Sequence, residues 1–208
     1  MSFAGIRGVI FAVALVVAVA LVVVLSVEAR TLRAAYRDLA QRTREPHAGI
    51  FVPTFRAATL AGDSVTVGAM PGSGRQVVFI FTTTCPYCRA SLPVWLELAR
   101  AADTLTATKV QVIGISWDSV PATRRYTAEH GLTFPIARFP QHKLGALYRA
   151  LAVPVTMVLD STGRVMYGHL GTLSEAIARD SVWPAIRFRY PTPSSTPSAR
   201  RDSTAPKP

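Results

Sequence analysis

The sequence predicts a three-layer α/β domain, a central mixed sheet with helices on both faces, behind an N-terminal transmembrane helix. Three observations predict it. An uncharged apolar run from Gly8 to Val27 matches the thickness of a bilayer. Strand-like and helix-like segments then alternate over residues 47–190. Within them, Val77–Phe81 (VVFIF) is apolar at every position, so both faces of its sheet need cover.

The Gly8–Val27 run is built almost wholly of Val, Ala, Leu, Ile and Phe. At about 1.5 Å per residue it crosses a hydrocarbon core of ~30 Å. A signal-peptide core runs only about 7–15 residues, and a soluble helix keeps a polar face. Residues 1–27 are therefore expected to be a retained anchor, although Val27-Glu28-Ala29 would serve as a cleavage site. Residues 28–46 continue as a helical stalk. Leu32, Tyr36 and Leu39 recur at helical spacing and Glu45-Pro46 ends the run.

Inside residues 47–190, Phe51–Leu60 and Ser64–Val67 read as a hairpin joined through Gly62-Asp63. Val77–Phe81 is the buried central strand. Cys88–Ala102 is a helix with Leu92, Trp95, Leu96 and Ala99 on one face. Val110–Ser116 is a strand, Pro121–His130 a helix closed by Gly131, and Gln141–Leu151 a further helix. Val155–Leu159 and Arg164–Tyr167 are strands around the turn Asp160–Gly163. Ser174 caps a last helix with Ile177 on its apolar side, and Trp183-Pro184 is expected to break it. The Pro/Ser/Thr-rich residues 191–208 are expected to be disordered.

Composition narrows the function. The 208 residues are 50% hydrophobic and 17% charged, with a mean hydropathy of +0.28, which excludes a disordered chain. Two cysteines exclude a disulfide-dense scaffold, and no long-period repeat is present. The net charge of +11 is spread along the chain, with neither a basic stripe nor interleaved aromatics, so nucleic acid is not an expected partner. A basic surface of this kind favours anionic lipid headgroups.

The chemistry-bearing motif is Cys85-Pro86-Tyr87-Cys88, placed where a buried strand ends and a helix begins. Thiolates, not thiols, attack disulfides, and free amides with the positive dipole end at a helix N-terminus favour an anion. Cys85 stands first and exposed; Cys88, one turn on, is within disulfide reach but sheltered. The cycle that follows is attack by one sulfur, a mixed disulfide, and resolution by the other. Three other readings compete. A structural disulfide closing so short a loop contributes only about 2 kcal/mol. A zinc site needs further ligands, and His47, His130, His142 and His169 lack ligand spacing. An inert core pair does not explain the Pro86 turn. The second motif is Val153-Pro154-Val155-Thr156, a proline opening an apolar strand. It reads equally as an ordinary trans start or as a cis bond that presents the Val153 backbone to an extended substrate. Trp95 and Trp117 read as core or groove-wall aromatics, with Trp117 a candidate for the substrate groove. Arg89 reads as a solvated helix residue.

The segments FVPTFRAATLAG, TTTCPYCRASLPVWLELA, VIGISWDS, EHGLTFPIA and LAVPVTMVLDSTGRVMYGHLGTLSEAI resemble the thioredoxin superfamily. Within it they resemble the membrane-anchored thiol–disulfide oxidoreductases of the TlpA/ResA type, over roughly residues 50–186. The resemblance implies a thioredoxin-like fold, a cis Pro154, Cys85 as nucleophile and Cys88 as resolver. It implies no cofactor or metal beyond the redox-active Cys85–Cys88 disulfide. Partners would be protein thiols and disulfides, with apocytochrome c the best-known client class, and a membrane electron donor or acceptor. Candidate substrate contacts are Val153, Pro154, Pro86, Tyr87 and Trp117. The chain departs from the pattern at Thr84, where Trp is usual, and at Tyr87, where Pro is usual. Phe79 and Ser91 stand where an acid would help the buried cysteine deprotonate, so the Cys88 proton is expected to leave through water. Orientation is contested. Arg30, Arg33, Arg37, Arg42 and Arg44 follow the span while only Arg7 precedes it, which alone predicts a cytoplasmic domain. The resemblance predicts an extracytoplasmic one. Two other functions compete. A peroxiredoxin-like peroxidase has Thr82 three before Cys85 in its favour but lacks the Pro before that Thr. A non-enzymatic adaptor would hold client thiols or a metal through both cysteines.

Overall fold

The computed structural model describes residues 3–106 and 108–187. The tail expected to be disordered, residues 191–208, and the side chain of Leu39 lie outside the described set. The segments expected to be anchor and stalk lie on one unbroken helix, α1 (Phe3–Arg44). Its stretch Leu15–Ala34 is long and apolar enough to cross a membrane, and none of it is buried. Glu45-Pro46 ends α1 as expected, because proline's ring disfavours helical backbone before it. The chain then runs along the edge of the sheet, with the Gly49 N–H donating to Val165 O and the Val165 N–H to Ile50 O, each at 2.8 Å.

Strands β1 (Phe55–Ala58) and β2 (Ser64–Val67) make the expected antiparallel hairpin. The first strand is shorter than the sequence suggests. Phe51 instead forms an isolated bridge with Arg164, since Pro53 has no N–H for a ladder. The main sheet has the order β5-β4-β3-β6-β7. It is built from β3 (Arg75–Phe81), β4 (Val110–Ser116), β5 (Ile136–Arg138), β6 (Val155–Leu159) and β7 (Val165–Leu170). β3, β4 and β5 are parallel, and β6 and β7 run antiparallel to their neighbours. The sheet is therefore mixed. β5 is a strand that sequence periodicity misses: three residues after Pro135 are too few for alternation to register.

Helix α2 (Pro86–Asp103) follows β3, α3 (Val120–His130) follows β4, and α4 (His142–Leu147) follows β5. α4 stops earlier than the expected Leu151, because Arg149 adopts φ 51°, a left-handed backbone that ends a helix. The core divides along the pleat of β3. Val77, Phe79 and Phe81 face α2, Trp95, Tyr126 and Phe134, while Val78 and Ile80 face the hairpin and Tyr148. That division is why VVFIF has no polar position. The expected break at Trp183-Pro184 does not occur. After α5 (Glu175–Ile177) the backbone widens into a π turn (Ala178–Val182) and continues as α6 (Trp183–Arg187). The Trp183 N–H donates to Ala178 O, five residues back. The wider turn relieves the clash that Pro184 would make with the carbonyl four residues before it.

Candidate active site

Strand β3 ends at Phe81, Thr82–Thr84 turn the chain, and Cys85 is the residue that caps α2. Cys85 has extended backbone (φ −78°, ψ 119°) and its sulfur accepts the Cys88 N–H at 3.4 Å. Pro86 occupies the first helical position, where a missing N–H costs nothing. The helix thus begins two residues earlier than the period of its apolar face indicates, at Pro86 and not Cys88. Both cysteines are free; Cys85 is half-buried and Cys88 buried. Across the site, the Val153–Pro154 peptide bond is cis, so the trans reading of this proline is corrected. The Cys85 thiol lies 3.8 Å from Val153 O, toward which it donates. The strand that follows is tied to the helix carrying the sulfurs: the Trp95 Nε1–H donates to Thr156 Oγ1 at 3.2 Å. Trp95 is wholly buried and stacked on Phe79, centroids 4.8 Å apart, so it is a core residue.

Burial dominates the electrostatics. Loss of solvent pushes the Cys88 thiol from 9.0 up to about 12, with smaller contributions in the same direction from Cys85 and Asp118. The backbone N–H of Thr82 acts in the opposite sense. Cys88 is therefore a thiol at neutral pH. Ser91, standing where the family pattern has an acid, is already committed: its hydroxyl donates to Tyr87 O at 3.0 Å and accepts the Leu173 N–H at 2.9 Å.

Two residues near the sulfurs escaped sequence reasoning. Asp118 follows β4 and its carboxylate accepts the N–H of Thr83, in the turn before Cys85. Tyr126, from α3, is buried with its hydroxyl unpartnered. Loss of solvent pushes that hydroxyl to about 12, and Cys88 is the next contributor. The one available signal was positional: ligands gather at the carboxyl ends of parallel strands, and Asp118 lies just beyond one. Of the expected substrate contacts, Pro86 and Tyr87 are exposed beside Cys85, the Val153 carbonyl faces it, and Pro154 is buried. Trp117 is not brought to the sulfurs. Its ring stacks on His142 at 5.3 Å and packs against Phe139 at 4.9 Å, on the sheet face opposite Cys88. Arg89 is exposed, as expected.

A dithiol at the mouth of a helix, beside the cis-proline that opens a strand of a five-stranded mixed sheet, defines a thioredoxin-like α/β protein. The chain belongs to the AhpC/TSA family, whose profile matches residues 48–168. It is 27% identical over 163 residues to the methylamine utilization protein MauD of Methylophilus methylotrophus, covering 78% of this chain and 72% of the relative. It is 27% identical over 128 residues to the thioredoxin-like protein YneN of Bacillus subtilis, covering 59% and 71%. It is 28% identical over 124 residues to a thiol:disulfide interchange protein DsbE homologue of Paracoccus denitrificans, covering 58% and 65%. Among solved structures, the thioredoxin domain of a thiol-disulfide oxidoreductase from Bacteroides vulgatus superposes with a TM-score of 0.56 at 17% identity, covering 67% of this chain and 97% of that one. A peroxidoxin from Mycobacterium tuberculosis superposes with a TM-score of 0.55 at 18% identity, covering 68% and 97%. At those identities the superpositions establish the fold, and the fold alone serves both chemistries.

Proposed function

We propose that this chain is a membrane-tethered thiol–disulfide oxidoreductase acting on extracytoplasmic protein clients through Cys85 and Cys88. The observation that carries this reading is the unequal burial of two free cysteines one helical turn apart. The accessible Cys85 sulfur attacks a client disulfide, one client sulfur leaves as a thiolate, and a mixed disulfide forms. Cys88 then attacks Cys85, the bond to the client breaks, and the client's second thiol departs. Two electrons have passed to the client and the Cys85–Cys88 disulfide awaits re-reduction by a membrane donor; run backward, the same steps oxidise a client. Val153 O, Pro86 and Tyr87 border the reacting sulfur and are the proposed contacts for an extended client segment. The family resemblance points to proteins such as apocytochrome c as clients. Relatives named as thiol:disulfide interchange proteins support the activity.

The test is reduction of insulin disulfides by the full chain. Cys85→Ser abolishes turnover, and Cys88→Ser accumulates mixed disulfides visible on non-reducing gels. Undiminished insulin reduction by the Cys85→Ser variant overturns the proposal. Peroxide consumption coupled to a thiol donor, at a rate exceeding disulfide reduction, assigns the protein to the peroxidase branch instead.

A further inference from the structure

Resolution of the mixed disulfide needs Cys88 as a nucleophile, yet its sulfur is wholly buried and protonated at neutral pH. Something must accept that proton. Ser91 is occupied by Tyr87 O and the Leu173 N–H. The titratable groups whose charge acts on the sulfur are Cys85 from its own helix and Asp118 from the end of β4, and Cys88 acts on Tyr126 of α3. Arg89, Glu129 and Cys85 act in turn on Tyr126, and the His130 ring packs against it at 4.4 Å. Tyr126 is itself protonated at neutral pH and is no base there. That leaves Asp118. β3 and β4 pair Phe81 with Ser116, which brings the residues just beyond each strand together. Adjacent amides of one turn then hold the two groups: the Thr82 N–H points to the Cys88 sulfur and the Thr83 N–H donates to the Asp118 carboxylate.

We propose that Asp118 accepts the Cys88 proton as Cys88 attacks the mixed disulfide, a role that rests on the exchange reaction above. The S–H proton moves to a carboxylate oxygen while the Cys88 sulfur bonds to Cys85 Sγ. The bond from Cys85 to the client sulfur breaks, and the client sulfur leaves with that electron pair and is protonated by Asp118 or solvent. Cys85 and Cys88 are oxidised to the disulfide, and the client sulfur is reduced.

The sign of the effect separates this role from two others. As a mere charge, Asp118 disfavours the Cys88 thiolate, so its neutralisation would speed resolution. As a mere brace for Thr83, it could be replaced by an amide whose oxygen accepts the same N–H. Asp118→Asn keeps that acceptor and removes the base.

The test mixes the reduced full-length chain in detergent with a bis(nitrobenzoate) disulfide and follows chromophore release across pH. The first equivalent reports attack by Cys85 and the second reports resolution by Cys88. In Asp118→Asn we expect the first phase unchanged and the second slowed about a hundredfold at neutral pH, in line with general-base catalysis. The gap closes as pH rises toward the range where Cys88 ionises unaided, and Asp118→Glu recovers part of the rate. A second phase in Asp118→Asn as fast as in the parent chain, or faster, overturns the role of Asp118. A parent chain with no second phase, or a Cys88→Ser variant that retains it, overturns the exchange reading itself.

Discussion

A buried thiol keeps its proton because the anion has lost its water, and this separates Cys88 from Cys85 although both belong to one helical turn. The folded chain holds the Cys88 proton up to about 12, whereas an exposed thiol releases it near 9.0. Across that window the folded state binds more protons than the unfolded state. Stability therefore falls as pH rises from about 9 to about 12, and the contribution is fully present below it. Chemical denaturation of the reduced chain at stepped pH should show this slope, and Cys88→Ala should flatten it; an identical slope in the variant assigns it to other groups, Tyr126 among them. Alkylation gives the kinetic counterpart. In the native reduced chain at pH 8, iodoacetamide should label Cys85 well before Cys88 by peptide mass, and unfolding in guanidinium should erase the difference. The two cysteines were legible in the sequence because their signal is local, a turn proline between two sulfurs; Pro154 was legible as the start of an apolar strand, but its cis bond was implied only by the family resemblance. Asp118 and Tyr126 were not. Their approach to Cys88 depends on the β3–β4 register and on how α3 packs, neither of which leaves a mark on neighbouring residues.

At the scale of elements, the long periodic segments were readable and the short or irregular ones were not. α2 and α3 carry their own caps, and β3 and β4 are long enough to show their burial. β5 has three residues, and the π turn before Pro184 obeys no simple period. Trp117 illustrates the same limit: its place at the end of β4 suggests a groove wall, but its ring is claimed by α4. A methyl group on Gly145 would come within 2.1 Å of the Trp117 ring. Gly145→Ala therefore has to displace either α4 or the indole from its stack on His142. We expect a loss of about 1–3 kcal/mol in denaturant unfolding, the range for overpacking a filled site, together with altered Trp fluorescence. Because that ring faces away from Cys88, chromophore release by Cys85 should change little. A large fall in that rate would return Trp117 to the substrate groove.

The whole molecule poses a question of sides. α1 joins an apolar stretch, Leu15–Ala34, without interruption to an arginine-rich segment that reaches Arg44. Pro46 then docks on β7 so closely that a methyl on Gly168 would lie 2.4 Å from Pro46 O. The apolar helix is thus continuous with the chain that enters the sheet, so if α1 spans a bilayer as proposed, the side on which the arginines sit is the side on which the dithiol works. Flanking arginines resist translocation, but a long following domain crosses largely regardless of them. Protein disulfides persist in oxidising compartments and are rare in a reducing cytosol. If the clients are extracytoplasmic, the domain must have crossed. Alkaline phosphatase fused after Arg187 should therefore be active, a fluorescent protein at the same point should stay dark, and the full chain should remain in the membrane fraction through high-salt and carbonate washes. The reverse reporter pattern would put Cys85 among reduced cytosolic proteins. There the helix-mouth geometry would still permit exchange, but the client would have to be a disulfide formed transiently, and extracytoplasmic maturation would be excluded.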